Sequence, residues 1–165
     1  MRVVILILLL LVLAAPGSAG HMTRGDDGQI VPGERIGPAR LGMSEAEIEA
    51  INGETPCPVD ATYDLSGSVL RLVTTWGGWC RVSDEVQVGV SFTPAAATFG
   101  RPDKVSEDAR YAGATAYWVA YSSWGIAFRV LVIGEASRMI QAIAIFRGTA
   151  VVDARQHPPR AEPWK

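Results

Sequence analysis

Histidine is almost missing from this 165-residue chain, and its two copies, His21 and His157, stand near the two ends. Ser-His-Asp and Cys-His catalysis both need a base held beside the nucleophile, so neither scheme finds its parts here. Basic residues are not in excess: 15 Lys and Arg face 17 Asp and Glu, for a formal net charge of −2. Without a basic stripe to track phosphates, nucleic acid is excluded as a partner. No glycine-rich phosphate loop is present either, because Gly77-Gly78 has no helix after it. A membrane-spanning helix needs about twenty apolar residues, and the longest apolar run, Val3 to Ala15, is cut off by Pro16-Gly17 well short of that.

That run has a different reading. A short charged start, Met1-Arg2, an apolar core and the small residues Pro16-Gly17-Ser18-Ala19-Gly20 are the parts of a cleavable secretory signal. Residues 1–20 are therefore expected to be removed, with cleavage after Ala19 or Gly20. The first cysteine is Cys57, too far along the chain to carry a lipid at the cleavage point. The product is expected to be a periplasmic or secreted protein with no membrane span once the signal is gone. Cys57 and Cys80 would then meet an oxidising compartment, where a disulfide is the default. Their spacing is not C-x-x-C, which argues against a redox pair.

Composition divides the rest. Residues 21–32 are polar and glycine-rich and suit a flexible arm. Residues 148–165, with Pro158, Pro159 and Pro163 among charges, suit a disordered tail. One domain is expected over 33–147. Its best-marked element is a helix from Ser44 to Asn52: Ser44 and Glu47 form a capping box, Met43 and Ile48 a hydrophobic staple, and Gly53 stands where a left-handed cap would end it. A second short helix is expected from Thr93, with Pro94 in its first turn and a stop at Gly100.

Elsewhere the period is two. Val69–Trp76 and Trp79–Ser83 flank Gly77-Gly78, which predicts a tight hairpin pairing Trp76 with Trp79, Thr75 with Cys80, Val73 with Val82 and Arg71 with Asp84. Glu85 to Phe92 reads as a further strand. Ala114–Tyr121, Gly125–Ile133 and Met139–Phe146 read as a three-strand meander, with Tyr117, Val119, Tyr121, Ile126, Phe128, Val130 and Val132 on one core face. The other face carries Trp118, Leu131 and Ile133 beside alanines, with Arg129 its one charge. A sheet with one wet face alternates more cleanly than this. Two short helices can cover one side only, so the second face is expected to be a contact surface. The loop Gly134–Ser137 leaves the facing of the last strand open. The fold class is α+β: short capped helices plus an antiparallel β-meander.

The stretch Ile36-Gly37-Pro38-Ala39-Arg40-Leu41-Gly42-Met43-Ser44-Glu45-Ala46-Glu47-Ile48 resembles the opening of small exported bacterial domains in the outer-membrane assembly lipoprotein (SmpA/OmlA) and β-lactamase-inhibitor-like group. A degenerate second copy starts at Gly89-Val90-Ser91-Phe92-Thr93-Pro94 and reaches Phe99-Gly100-Arg101-Pro102, dividing the domain into sub-repeats 36–86 and 87–147. The resemblance implies two diverged helix–meander units and a non-catalytic domain that binds protein or cell-envelope components. The missing lipidation cysteine and the short second helix set this chain apart from the assembly lipoproteins.

Candidate chemistry is thin. His21, if it became the new N-terminus, could chelate copper only with another well-placed nitrogen. Asp26-Asp27-Gly28 lacks the spaced oxygens of a calcium loop. Glu45, Glu47 and Glu49 suit capping and helix-dipole compensation, and Asp103, Glu107 and Asp108 read as a solvated loop. No cofactor, metal site or catalytic residue is assigned. The aromatic rings remain: Trp76 and Trp79 at one hairpin tip, Tyr121 and Trp124 at another, are the candidate partner-binding residues. Register-pinning cross-strand packing is their plainer use. The expected role is a non-catalytic binding module for another protein or an envelope component. A small carboxylate-based secreted hydrolase and a homodimerising structural domain are the alternatives.

Overall fold

The computed structural model describes residues 28–147. Its two ends, with the expected signal over 1–20, His21, Asp26-Asp27, His157 and the proline-rich stretch, lie outside the described residues. The described residues begin with three two-residue strands, β1 (Ile30–Val31), β2 (Arg35–Ile36) and β3 (Ala39–Arg40), paired as a small antiparallel sheet. Ile30 and Val31 fall inside the expected arm, yet Ile30 is 1% exposed and belongs to the main core. The apolar Ile-Val pair, once bonded to Ile36 and Arg35, outweighs the polar composition around it.

Helix α1 (Glu45–Asn52) follows as expected. The Glu47 carboxylate accepts from the Ser44 N–H at 2.8 Å and from the Ser44 hydroxyl at 2.7 Å. These bonds hold Glu47 below the ordinary carboxylate range, the backbone bond contributing most. Ile48 is buried and Met43 packs beside the same core, so the staple is present. The predicted left-handed cap is not: Gly53 has φ −72°. The last turn is closed instead by Glu54 and Thr55 amides donating to the Ile51 carbonyl. The Asn52 side chain then takes over the role of a strand. Its Nδ2 donates to the Val59 carbonyl and its Oδ1 accepts from the Val59 amide, both at 2.8 Å.

Strands β4 (Asp60–Tyr63) and β5 (Val69–Thr74) form a hairpin. Asp64 organises its turn, accepting from the Ser66 and Ser68 amides and the Ser66 hydroxyl. These bonds lower its pKa, the Ser66 hydroxyl first among them. Strands β6 (Arg81–Ser83) and β7 (Val86–Gln87) make a separate two-stranded ribbon. Helix α2 (Thr93–Phe99) has Pro94 in its first turn. Four long strands complete the described residues: β8 (Lys104–Tyr111), β9 (Ala114–Tyr121), β10 (Ile126–Ile133) and β11 (Ser137–Phe146). The main sheet has six strands in the order β4-β5-β11-β10-β9-β8, antiparallel throughout. The α+β class and the meander are thus as the period-two pattern implied. Each helix leads into an antiparallel run, and the two runs share one sheet where β5 meets β11.

Three expectations are corrected. Residues 69–83 do not form a hairpin: Val73 lies opposite Asp60 and Ala144, and Arg71 opposite Thr62 and Phe146. Both edges of β5 are taken by β4 and β11, and the chain leaves the sheet after Thr74. Second, the strand expected over Glu85–Phe92 shrinks to β7. Beyond it the backbone turns and runs beside β11, where Gly89 and Phe92 amides donate to the Ile140 and Arg138 carbonyls and the Ile140 amide donates to Val90. This segment occupies the side of β11 that β5 leaves free above the Ile143–Thr74 pair. Third, Asp103, Glu107 and Asp108 do not sit in a plain loop, since the last two belong to edge strand β8. A bulge between Glu107 and Ala109, with charges along the strand, breaks the alternation that would have revealed it and guards the edge against foreign strands.

The meander register matches the expected face. Tyr121, Val119 and Tyr117 stand opposite Ile126, Phe128 and Val130. The open facing of the last strand is resolved by a bulge within the strand, not at its loop: Arg129 pairs with Ala142 but Val130 with Ile140, leaving Gln141 as the extra residue. Ile140, Ile143 and Ile145 thereby all reach the main core. That core also takes Ile48 of α1, Ala95 and Phe99 of α2, and both cysteines. Both helices therefore cover the same face of the sheet.

Candidate functional site

The exposed rings sit on loops whose backbones are held tightly. After Thr74 the chain turns out of the sheet. The buried Thr74 hydroxyl accepts from the Trp76 amide at 3.3 Å and donates to Cys80 Sγ at 3.5 Å. Cys80 forms the disulfide with Cys57, and both are fully buried. In the chain-entropy picture, closing a loop of this length stabilises the fold by about 3 kcal/mol. Gly77 passes so near the Val88 carbonyl that an added Cβ would lie 2.6 Å from its oxygen; only glycine allows that approach. With the loop fixed at both ends and in its middle, Trp76 and Trp79 point outward, 58% and 68% exposed. The ring-to-ring pairing expected from the hairpin register is therefore replaced by two separately displayed rings.

Trp124 is held in another way. It lies on the β9–β10 turn and packs edge-on against Phe99 of α2, centroids 5.6 Å apart, while remaining 53% exposed. Its neighbour Gly125 has φ +66° and lies against Gly33 and the Phe146 carbonyl, so the turn is locked to the β1–β2 loop. Gly33 donates to the Gly125 carbonyl at 3.1 Å. Tyr121 departs from the expected set. It is 1% exposed and packs with Phe99 and Phe128. Burial alone pushes its hydroxyl up to about 12, and that hydroxyl has no hydrogen-bond partner. It is a core residue, and no partner can touch it.

The three carboxylates expected in a solvated loop, Asp103, Glu107 and Asp108, are engaged in structure. Asp108 pairs with Arg129 at 2.7 Å and Glu107 with Arg110 at 2.8 Å. The Ser122 amide donates to Asp103. Glu45 and Glu49 flank Tyr63, whose pKa is raised by burial first and by these two charges next. Among the described residues, no three His, Cys, Asp or Glu side chains gather where a metal could be held. The arrangement offers shape and ring surface. Sequence reasoning missed Asn52 and Asp64 as organisers; the Asp64-x-Ser66 spacing is an Asx-turn signature and could have revealed the second.

The second face of the sheet is apolar at its centre, while the register adds Asp60, Arg71 and Lys104 to the one charge, Arg129, that the meander pattern showed. Ala120, Ala127, Ala144 and Phe146 form a separate buried cluster, with Val73 and Trp118 packed against it. No known family model, curated protein or solved structure matches the chain.

Proposed function

We propose that the chain is an exported, non-catalytic binding module that grips another protein or a cell-envelope component through Trp76 and Trp79, with Trp124 as a further contact. The observation that carries the reading is the exposure of these rings, 53–68%, on loops held by a disulfide, a glycine contact and a core phenylalanine. Large rings already held in place bury much surface on contact at little entropic cost, which is why they dominate binding hot spots. The disulfide also suits an oxidising compartment outside the cytoplasm. Export itself rests on the signal-like start, residues 1–20, and the envelope-associated role on the resemblance of Ile36 to Ile48 to the assembly-lipoprotein and inhibitor-like domains.

The test uses Trp76→Ala/Trp79→Ala, which removes rings but no core contact. The wild-type chain and the double variant are each used as bait on the native envelope fraction, with circular dichroism confirming that both fold alike. A component retained by the wild type and lost with the variant supports the reading. Equal retention by both baits, or nothing retained by either, refutes it. Trp124→Ala is the secondary variant, because that ring also rests on Phe99.

A further inference from the structure

Between buried Thr74 and buried Cys80 the chain puts five consecutive residues on the surface, Thr75-Trp76-Gly77-Gly78-Trp79, and none of them carries a charge. The Thr74 hydroxyl and Cys80 Sγ meet at 3.5 Å across the neck of this loop. Its backbone lies against the body of the domain at two points. Gly77 rests on the Val88 carbonyl, and Gly28 lets the Trp79 carbonyl come so near that any Cβ there would overlap it. Backbone therefore fills the inner side of the loop, and the two indoles stand on the outer side. Charge returns just past the neck, where Arg81 pairs with Asp84 at 3.1 Å and both are exposed beside Glu85.

Three kinds of partner could meet such rings, and the chemistry of the loop separates them. A sugar stacked on an aromatic ring is also oriented by side-chain hydrogen bonds, and the loop offers one polar side chain, Thr75. Protein hot spots sit in desolvated pockets within a collar of further contacts, whereas these rings stand on an exposed crest with charged residues next to it. A bilayer surface asks for neither pocket nor matched donors. Tryptophan concentrates at the membrane–water interface because its ring is apolar while its indole N–H stays wet. A crest without charge avoids the desolvation cost of carrying an ion into that layer.

We infer that Trp76 and Trp79 seat this domain on a lipid surface, with both indoles in the interfacial layer and Arg81, Asp84 and Glu85 left in water. This rests on the binding role proposed above and names its partner as lipid. Because the loop contributes no charge, the association does not depend on anionic lipid and is not screened by salt.

Sedimentation with phosphatidylcholine vesicles tests this, using the chain recovered after export. The wild type should co-sediment equally in low and high salt, and equally when anionic lipid is added. Trp76→Ala/Trp79→Ala, with an unchanged circular dichroism spectrum, should bind about a hundredfold less, about tenfold for each ring. Thr75→Asp keeps both rings, adds a charge to the crest and should also lose binding. Leu65→Ala removes a fully exposed side chain at the other end of β5 and should change nothing. Lipid brominated in its acyl chains should quench indole emission of the wild type and not of the double variant. Residues 1–20 hold no tryptophan, so an uncleaved start cannot itself give this signal. The inference is overturned by no vesicle binding, by binding without quenching, by binding that needs anionic lipid or falls with salt, by binding kept in the double variant or in Thr75→Asp, or by an equal loss in Leu65→Ala. Ring-dependent capture of a protein from the envelope fraction, without vesicle binding, would overturn the lipid assignment and leave the binding role standing.

Discussion

The two halves of the molecule reach order by different means. Strands β8 to β11 are eight to ten residues long, and each pairs with its sequence neighbour. Residues 28–92 contain seven strands of two to six residues, spread over three sheets. They are tied by contacts distant in sequence: the disulfide, the Asn52–Val59 clamp and the seating of β5 beside β11. Neighbouring pairings close short loops at low entropic cost, whereas distant ones must be won against longer loops. The meander therefore acts as the scaffold on which the first half is assembled, and the exposed Trp76 and Trp79 belong to the assembled half.

Phe128→Ala should have the largest effect. The ring is fully buried against Phe92, Phe99 and Tyr121, and losing it should destabilise the whole domain by about 4 kcal/mol in denaturant titration. Loss of only the first half, with the meander intact, would contradict the scaffold role. Cys57→Ser/Cys80→Ser should cost about 3 kcal/mol. Hydrogen exchange should rise first over 53–88 and only later in β9 to β11; uniform loosening would show that the halves are not distinct. Asn52→Ala removes both side-chain bonds to Val59 and should cost about 2 kcal/mol, with faster exchange confined to the α1–β4 connection.

The smallest effect is pH-dependent. Glu47 and Asp64 both have folded pKa values lowered below 4.5 and 3.8, the first by the Ser44 amide and the second by the Ser66 hydroxyl. A lowered carboxylate contributes stability that is complete above its unfolded pKa and is lost as pH falls through the folded one. Thermal stability should therefore be flat above about pH 5 and decline below it. Ser44→Ala, which removes the hydroxyl's bond, and Ser66→Ala should each flatten that decline. Both groups are in the first half, so acid should loosen α1 and the β4–β5 turn before the meander.

What could be read from residue order follows the same division. The helix at Ser44, the short helix at Thr93 and the meander's core face were all visible, because each depends on residues near one another or on a sustained period; the disulfide was visible because there are two cysteines to pair. The hairpin expected over 69–83 was wrong: the chain bends at Gly78, where φ is +84°, but it makes no tight turn back onto β5, because the Cys57 disulfide and the Val88 carbonyl, neither near in sequence, fix its path. The edge strand β8 was hidden by its own bulge and charges. Tyr121 shared the period of the core face and was still assigned to the tip, since position next to a turn carries no information on whether α2 will lie over it.

Local chemistry alone settled the capping box at Ser44 and Glu47, the proline start of α2 and the alternating strands at 114–146, since those choices are made within a few residues. Which strand stands beside β5, which rings stay outside and which face the helices cover depended on the packed whole. The reason is competition: each strand edge and apolar face can be satisfied only once, and the winner is known only when every claimant is in place.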